Sequence, residues 1–345
     1  MVAITSSALV STRNSSRSFD SVLEEVHGRA SLSYPDRVFP LARLTANERG
    51  ELDVPEIGTL ALTSWSRAQL ARMLGIRWDR WFNDALVSPA ERADEINRRL
   101  SRQSGTWKLR ARRYALDEEG AGDGVLRAFV GPQYEAIDDA RLFERLVHVL
   151  GSRADEYRFV RVEHTDRSAH YVALSESEID IGDGQSDPHR GGFLLWNSEV
   201  GAGAVGLLEY VWRLVCTNGL VALTPGRKLF RRVHRRTSNE SLERDLSQGL
   251  AALPERIERA TSALRVARMQ YVMEPEATLR NFLAEHPEGR PHTEAVISAY
   301  AEEPEPTRFG LVQAITLAAQ RLDADRRLML ETLAGQLIVQ HGVAA

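Results

Sequence analysis

The densest run of chemically competent side chains lies between Arg227 and Arg236. There Arg227, Lys228, Arg231, Arg232, Arg235 and Arg236 are packed together with Phe230 and His234 between them. Cations at this density neutralise phosphates and release their counterions, and guanidinium planes also stack on bases. Residues 201–236 carry seven cations against Glu209 alone, a net +6, whereas residues 101–200 and 237–345 each stand at −5 in a chain whose total is −4. A basic island in an acidic protein points to a local anion site, so DNA, with single strands favoured, is the expected partner. The bland reading is a solvated basic loop, or one that meets the chain's own carboxylates.

A second basic surface comes from the period-two stretch WKLRARRY. It sets Lys108, Arg110, Arg112 and Tyr114 on one face of a strand and Trp107, Leu109 and Ala111 on the other. Such a face could follow a phosphate backbone and stack a base. An ordinary exposed strand would look the same.

Other motifs are weaker. Gly201, Gly203 and Gly206 spell G-x-G-x-x-G, but no acidic residue follows at the distance a ribose contact needs and no βαβ alternation surrounds them. No lysine completes a P-loop. A tight turn, with Glu199 hydrogen-bonding locally, is the expectation. Asp180, Asp183, Asp187 and His189 offer oxygen and nitrogen ligands for magnesium or calcium without following an EF-hand. Cys216, the single cysteine, sits in an apolar setting with no base placed beside it, and it excludes an internal disulfide. No cofactor or metal is expected.

These residues need a scaffold of 345 positions, 43 % of them apolar, with no run long enough to span a bilayer and no secretory leader, so a cytoplasmic protein is expected. Residues 1–60 read as a flexible arm, with a short helix over Phe19–His27, and a proline-interrupted, irregular lead-in that could also hold isolated strands. A capped helix follows from Thr63 to Gly75. The segment RAQLARMLGIRWDRWF has the Ala71 to Gly75 spacing of a helix-turn-helix, but Trp81 stands where a branched apolar residue belongs, so Trp78, Trp81 and Phe82 read better as core. A hairpin from Trp107, a helix over Asp138–Leu150, strands over 157–163 and 169–174, a polar loop, and the strand GFLLWNSEV give a β-β-α-β-β-β order. An apolar helix is expected after the glycine turn, and an Asn218-Gly219 turn after that. From Ser238 the period is 3.6, with Pro254 within or between two helices and shorter helices near 275–286, 291–301, 308–320 and 323–341.

The blocks WNSEVGAG (196–203) and RLVCTNGLV (213–221), with a hydrophobic stretch between them and cations after them, resemble the bacterial phage/plasmid-like family known as domain of unknown function 932. LTSWSRAQLARMLGI and LRAFVGPQYEAIDD are similar to that family's earlier blocks, so the resemblance covers residues 60–236. It implies a setting of phages, plasmids and integrated elements and brings no established activity. The element order also resembles single-strand annealing recombination proteins, without a shared motif.

The expected fold is therefore α+β. A mainly antiparallel sheet core with packed helices occupies 61–236, and a helical region occupies 237–345. The expected function is non-enzymatic nucleic-acid binding in recombination or replication, by a homo-oligomer. The alternative is an interaction or assembly protein whose cations meet an acidic partner. A metal-dependent enzyme built on Glu199 and the acidic loop is a third possibility.

Overall fold

In the computed structural model, residues 16–77, 86–116, 118, 120, 122–182, 187–214, 219–220, 229–235 and 237–339 are described. Trp78, Trp81, Phe82, Asp183, Cys216, Asn218, Arg227, Lys228 and Arg236 lie outside them.

Helix α1 (Phe19–Ser31) is longer than the sequence suggests. Ser18 caps it by accepting the N–H of Ser21, and it buries Phe19, Val22 and Val26. The lead-in, read as irregular structure or isolated strands, supplies the short strands β1 (Arg37–Pro40), β2 (Thr45–Ala46), β3 (Leu52–Val54) and β4 (Gly58–Leu62). With β5 (Thr106–Arg112) and β6 (Gly124–Val130) they form a six-stranded sheet in the order β1-β5-β6-β4-β3-β2, in which only the β4 and β6 pair is parallel. Helices α2 (Ser64–Leu74) and α3 (Pro89–Leu100) pack Leu70, Leu74, Ile96 and Leu100 against Leu52, Leu60, Leu109 and Leu126. The ends of both helices follow from local chemistry. Thr63 caps α2 and Gly75 closes it at φ 63°, while Ser88 and Glu91 form a reciprocal capping box on α3.

Helix α4 (Asp139–Leu150) leads into a second, wholly antiparallel sheet. Its strands are β7 (Tyr157–His164), β8 (Ala169–Asp180), β9 (Pro188–Asn197), β10 (Val205–Arg213), β11 (Gly219–Leu220) and β12 (Phe230–Arg232). They run in the order β11-β10-β9-β8-β7, with β12 also paired to β10. Two expectations are corrected here. The polar stretch after Leu174 continues β8 as far as Asp180, and the apolar run after the glycine turn is strand β10 rather than a helix. VGLLEYV is buried at every position, because β10 is covered on both faces, and a continuous apolar run carries no period. Gly206 is explained by packing. A Cβ there would lie 2.1 Å from the Trp196 indole, which crosses the strand at that point.

One face of this sheet is covered by α1, α4 and the first half of α5 (Asn239–Met269), through Val22, Leu142, Phe143, Leu246 and Leu253 on Tyr171, Phe193, Leu195 and Leu207. Trp196 and Trp212 pack with Val172, Leu194, Leu208 and Tyr210 on the other face, against Leu328 of α9 (Ala324–Val339). Helix α5 runs unbroken through Pro254, where two helices had been one option. Helix α6 (Pro275–Glu285) packs on α7 (Thr293–Glu302), and α5, α7 and α9 surround α8 (Arg308–Ala319), which is buried nearly all round. The helical region is tied to the sheet by two buried ion pairs. Arg256 on α5 reaches Glu209 at 2.9 Å, and Arg161 on β7 reaches Glu331 on α9 at 3.0 Å, where Glu331 also accepts from the Tyr210 hydroxyl. The chain is thus α+β with a helical C-terminal region.

Candidate functional site

Strands β11 and β12 pair with the same edge of β10 and in the same direction. Leu220 stands opposite Val211, and Phe230 stands opposite Leu207. From Phe230 to Arg235 the side chains alternate between packed and exposed positions. Phe230 is 8 % exposed and packs in the core, which removes it as a stacking platform. Arg232 donates to Asp245 at 2.6 Å and to Ser241 at 3.2 Å. Arg231 and Arg235 are exposed, and among the described residues neither side chain has a carboxylate partner.

The β5 face differs from its simple alternation. The register with β6 shifts between Arg110 and Ala111, so Leu109, Arg110 and Ala111 are buried in succession. Arg110, 6 % exposed, donates to Asp138 at 2.5 Å and also pairs with Asp36. Arg112 pairs with Glu118 at 2.5 Å, the Lys108 ammonium donates to the Tyr134 carbonyl, and the Tyr114 ring is half-buried over Gly120. These four side chains are engaged inside the protein and do not form an open cationic face.

The family-like motif at the end of β9 builds a buried polar joint. Asn197 donates to the Ile137 carbonyl and to Asp139 Oδ1, each at 2.7 Å. Ser198 donates to the Arg167 carbonyl at 2.6 Å and accepts the Ala202 N–H at 3.0 Å, which shapes the glycine turn. Glu199 accepts from Arg127 at 2.6 Å and from the Asp139 N–H at 2.8 Å. It therefore caps α4 from outside, a role Asp138 does not take because its side chain holds Arg110. Opposite Asn197, His234 Nδ1 accepts the Ile137 N–H at 2.9 Å, and its ring stacks on Tyr134 with centroids 5.4 Å apart.

The charges in this joint shift one another. Burial and then the Glu199 carboxylate raise Asp139 to about 7. Burial alone would raise Glu199, but Arg127, the Asp139 N–H and Arg110 outweigh it and bring Glu199 down to about 2. Burial and then Arg110 lower His234 to about 4. The cleft beside Asp139 and Glu199, edged by Arg29, Arg112 and Arg127, encloses about 20 Å³, which is room for one water and not for a substrate.

The remaining candidates are structural. Asp187 gives one oxygen to Arg213 at 2.8 Å and the other to Arg268, while Asp180 accepts the N–H groups of Gly182 and Asp187. Among the described residues no group of three His, Cys, Asp or Glu could hold a metal. A constellation invisible in the sequence joins Ser168, His170 and Asp325. The Ser168 hydroxyl is 2.9 Å from His170 Nε2, but Asp325 approaches that same nitrogen at 3.3 Å and takes the Ser168 hydroxyl as well. A nucleophile relay needs the carboxylate on the other ring nitrogen, so this cluster instead docks the start of α9 on the turn between β7 and β8.

No helix among the described residues is long and apolar enough to cross a membrane. No curated protein and no solved structure matches the chain. A family model does match, over residues 127–328. It begins at the arginine that binds Glu199 and runs through the C-terminal helices as far as α9, farther than the central motifs alone suggest, and it leaves out the first sheet apart from the end of β6. Matched over more than half its length, the chain belongs to the family described as a domain of unknown function (DUF932).

Proposed function

We propose that this is a nucleic-acid-binding protein that takes hold of phosphates along the β11 and β12 edge of its main sheet. The observation that carries the reading is the pair of cations on and just after β12, since Arg231 and Arg235 are both exposed and neither has a carboxylate partner among the described residues. Single-stranded DNA is the first substrate to test, given the resemblance in element order to annealing proteins and the phage and plasmid setting that the family resemblance implies. Cations that β5 was expected to add are satisfied within the protein, so the site is narrower than the sequence suggests.

The test is a mobility shift with labelled single-stranded and double-stranded DNA across a salt series. Replacing Arg231 and Arg235 together with Ala removes two phosphate contacts, and the salt slope on single strands falls by about 1.4, at about 0.7 for each contact. Absence of a shift at low salt, or an unchanged slope in the variant, discards the reading. Assembly on an acidic protein surface is the second reading, because Arg232 already shows these cations pairing with carboxylates. Light scattering separates the two, since assembly indifferent to added DNA supports the second.

A further inference from the structure

Within the run Arg231-Arg232-Val233-His234-Arg235 one member is uncharged and buried. His234 is 5 % exposed, and it lies against groups from three parts of the chain. Its Nδ1 accepts the Ile137 N–H, its ring stacks on Tyr134, Arg110 approaches from β5, and Glu199 approaches from beyond β9. Asp138 and Asp139 follow at the start of α4, held by Arg110 and Asn197 respectively. Asn197 grips the Ile137 carbonyl while His234 grips its N–H, so the family motif and the cationic segment hold the two peptide units that flank Ile137. Arg or Lys at position 234 would add a second charge beside Arg110 and could not accept the Ile137 N–H.

We infer that His234 is a positioning residue, which pins the chain between β12 and α5 against Ile137 and so presents Arg231 and Arg235 outward at fixed places for a polyanion. Burial and the Arg110 charge keep the imidazole neutral near pH 7, the form in which Nδ1 can accept. The inference rests on the proposed binding function for its consequence, while the pinning itself can be read without any ligand.

Two variants separate the parts of the role. His234→Phe keeps a ring against Tyr134 and loses the acceptor. His234→Asn keeps an acceptor near the Nδ1 position and loses the ring. Neither changes the charge of the folded protein near pH 7. In the full chain, His234→Phe speeds amide exchange across residues 229–235 and at Ile137 by about tenfold, as expected when a buried N–H loses its acceptor, and His234→Asn restores most of the protection. The same pair is read for affinity to a fluorescently labelled single-stranded oligonucleotide, where His234→Phe weakens binding about fivefold, with rescue by His234→Asn. Wild-type exchange rates in His234→Phe overturn the pinning. Faster exchange with unchanged affinity overturns the positioning role. If the wild-type protein binds no oligonucleotide, the binding reading fails, and the exchange rates alone then decide whether His234 pins the segment.

Discussion

Asp139 and His234 sit in the same joint and respond to pH with opposite sign. Asp139 is raised from 3.8 to about 7, so the folded state holds its proton more tightly. Its contribution to stability is complete below pH 3.8 and is lost as pH rises toward 7. His234 is lowered from 6.5 to about 4, and its contribution is complete above pH 6.5 and lost as pH falls toward 4. Asp139→Asn removes only the first of these. The difference in unfolding free energy between this variant and the wild type, from urea titrations at pH 4 and pH 7, therefore changes by more than about 1 kcal/mol, with the variant relatively more stable at pH 7. A difference independent of pH would mean that Asp139 is an ordinary ionised carboxylate.

Among the elements, α5 carries the clearest local conflict. Pro254 is exposed in the interior of a 31-residue helix, supplies no N–H for the preceding turn, and crowds the carbonyl of Leu250. Because its side chain buries little, Pro254→Ala is expected to raise stability by about 1–3 kcal/mol, measured by thermal or urea unfolding. The sequence made α5 legible as helix but left it divisible at that residue. It placed the other C-terminal helices to within two or three residues, because their apolar positions recur at 3.6. It misread β10 because an unbroken apolar run looks alike at either period, and it ended β8 early because the strand's outer half is polar and lies beyond the packed face. The joint was legible only in part. Asn197, Ser198 and Glu199 stood out as a motif, but their partners Arg127 and Asp139 are 58 to 72 positions away, and only the fold brings them together. Arg110 looked exposed because alternation was assumed to continue through what is in fact a register shift.

At the scale of the whole molecule, the two buried ion pairs decide whether sheet and helices behave as one body. Glu331 accepts from both Arg161 and Tyr210, and it is fully buried. Glu331→Ala takes an acceptor from the buried Tyr210 hydroxyl and leaves the Arg161 guanidinium with Glu163, 3.5 Å away, as its remaining carboxylate, and a loss of about 3 kcal/mol is expected. Denaturant unfolding followed by tryptophan fluorescence and by helical circular dichroism should give coincident transitions in the wild type. Separated transitions would show that α6 to α9 fold on their own. The edge of β10 has a different consequence. Since β11 and β12 are each fixed to it by their own rungs, a substitution that frays one of them leaves the other in register, so damage along that margin stays local.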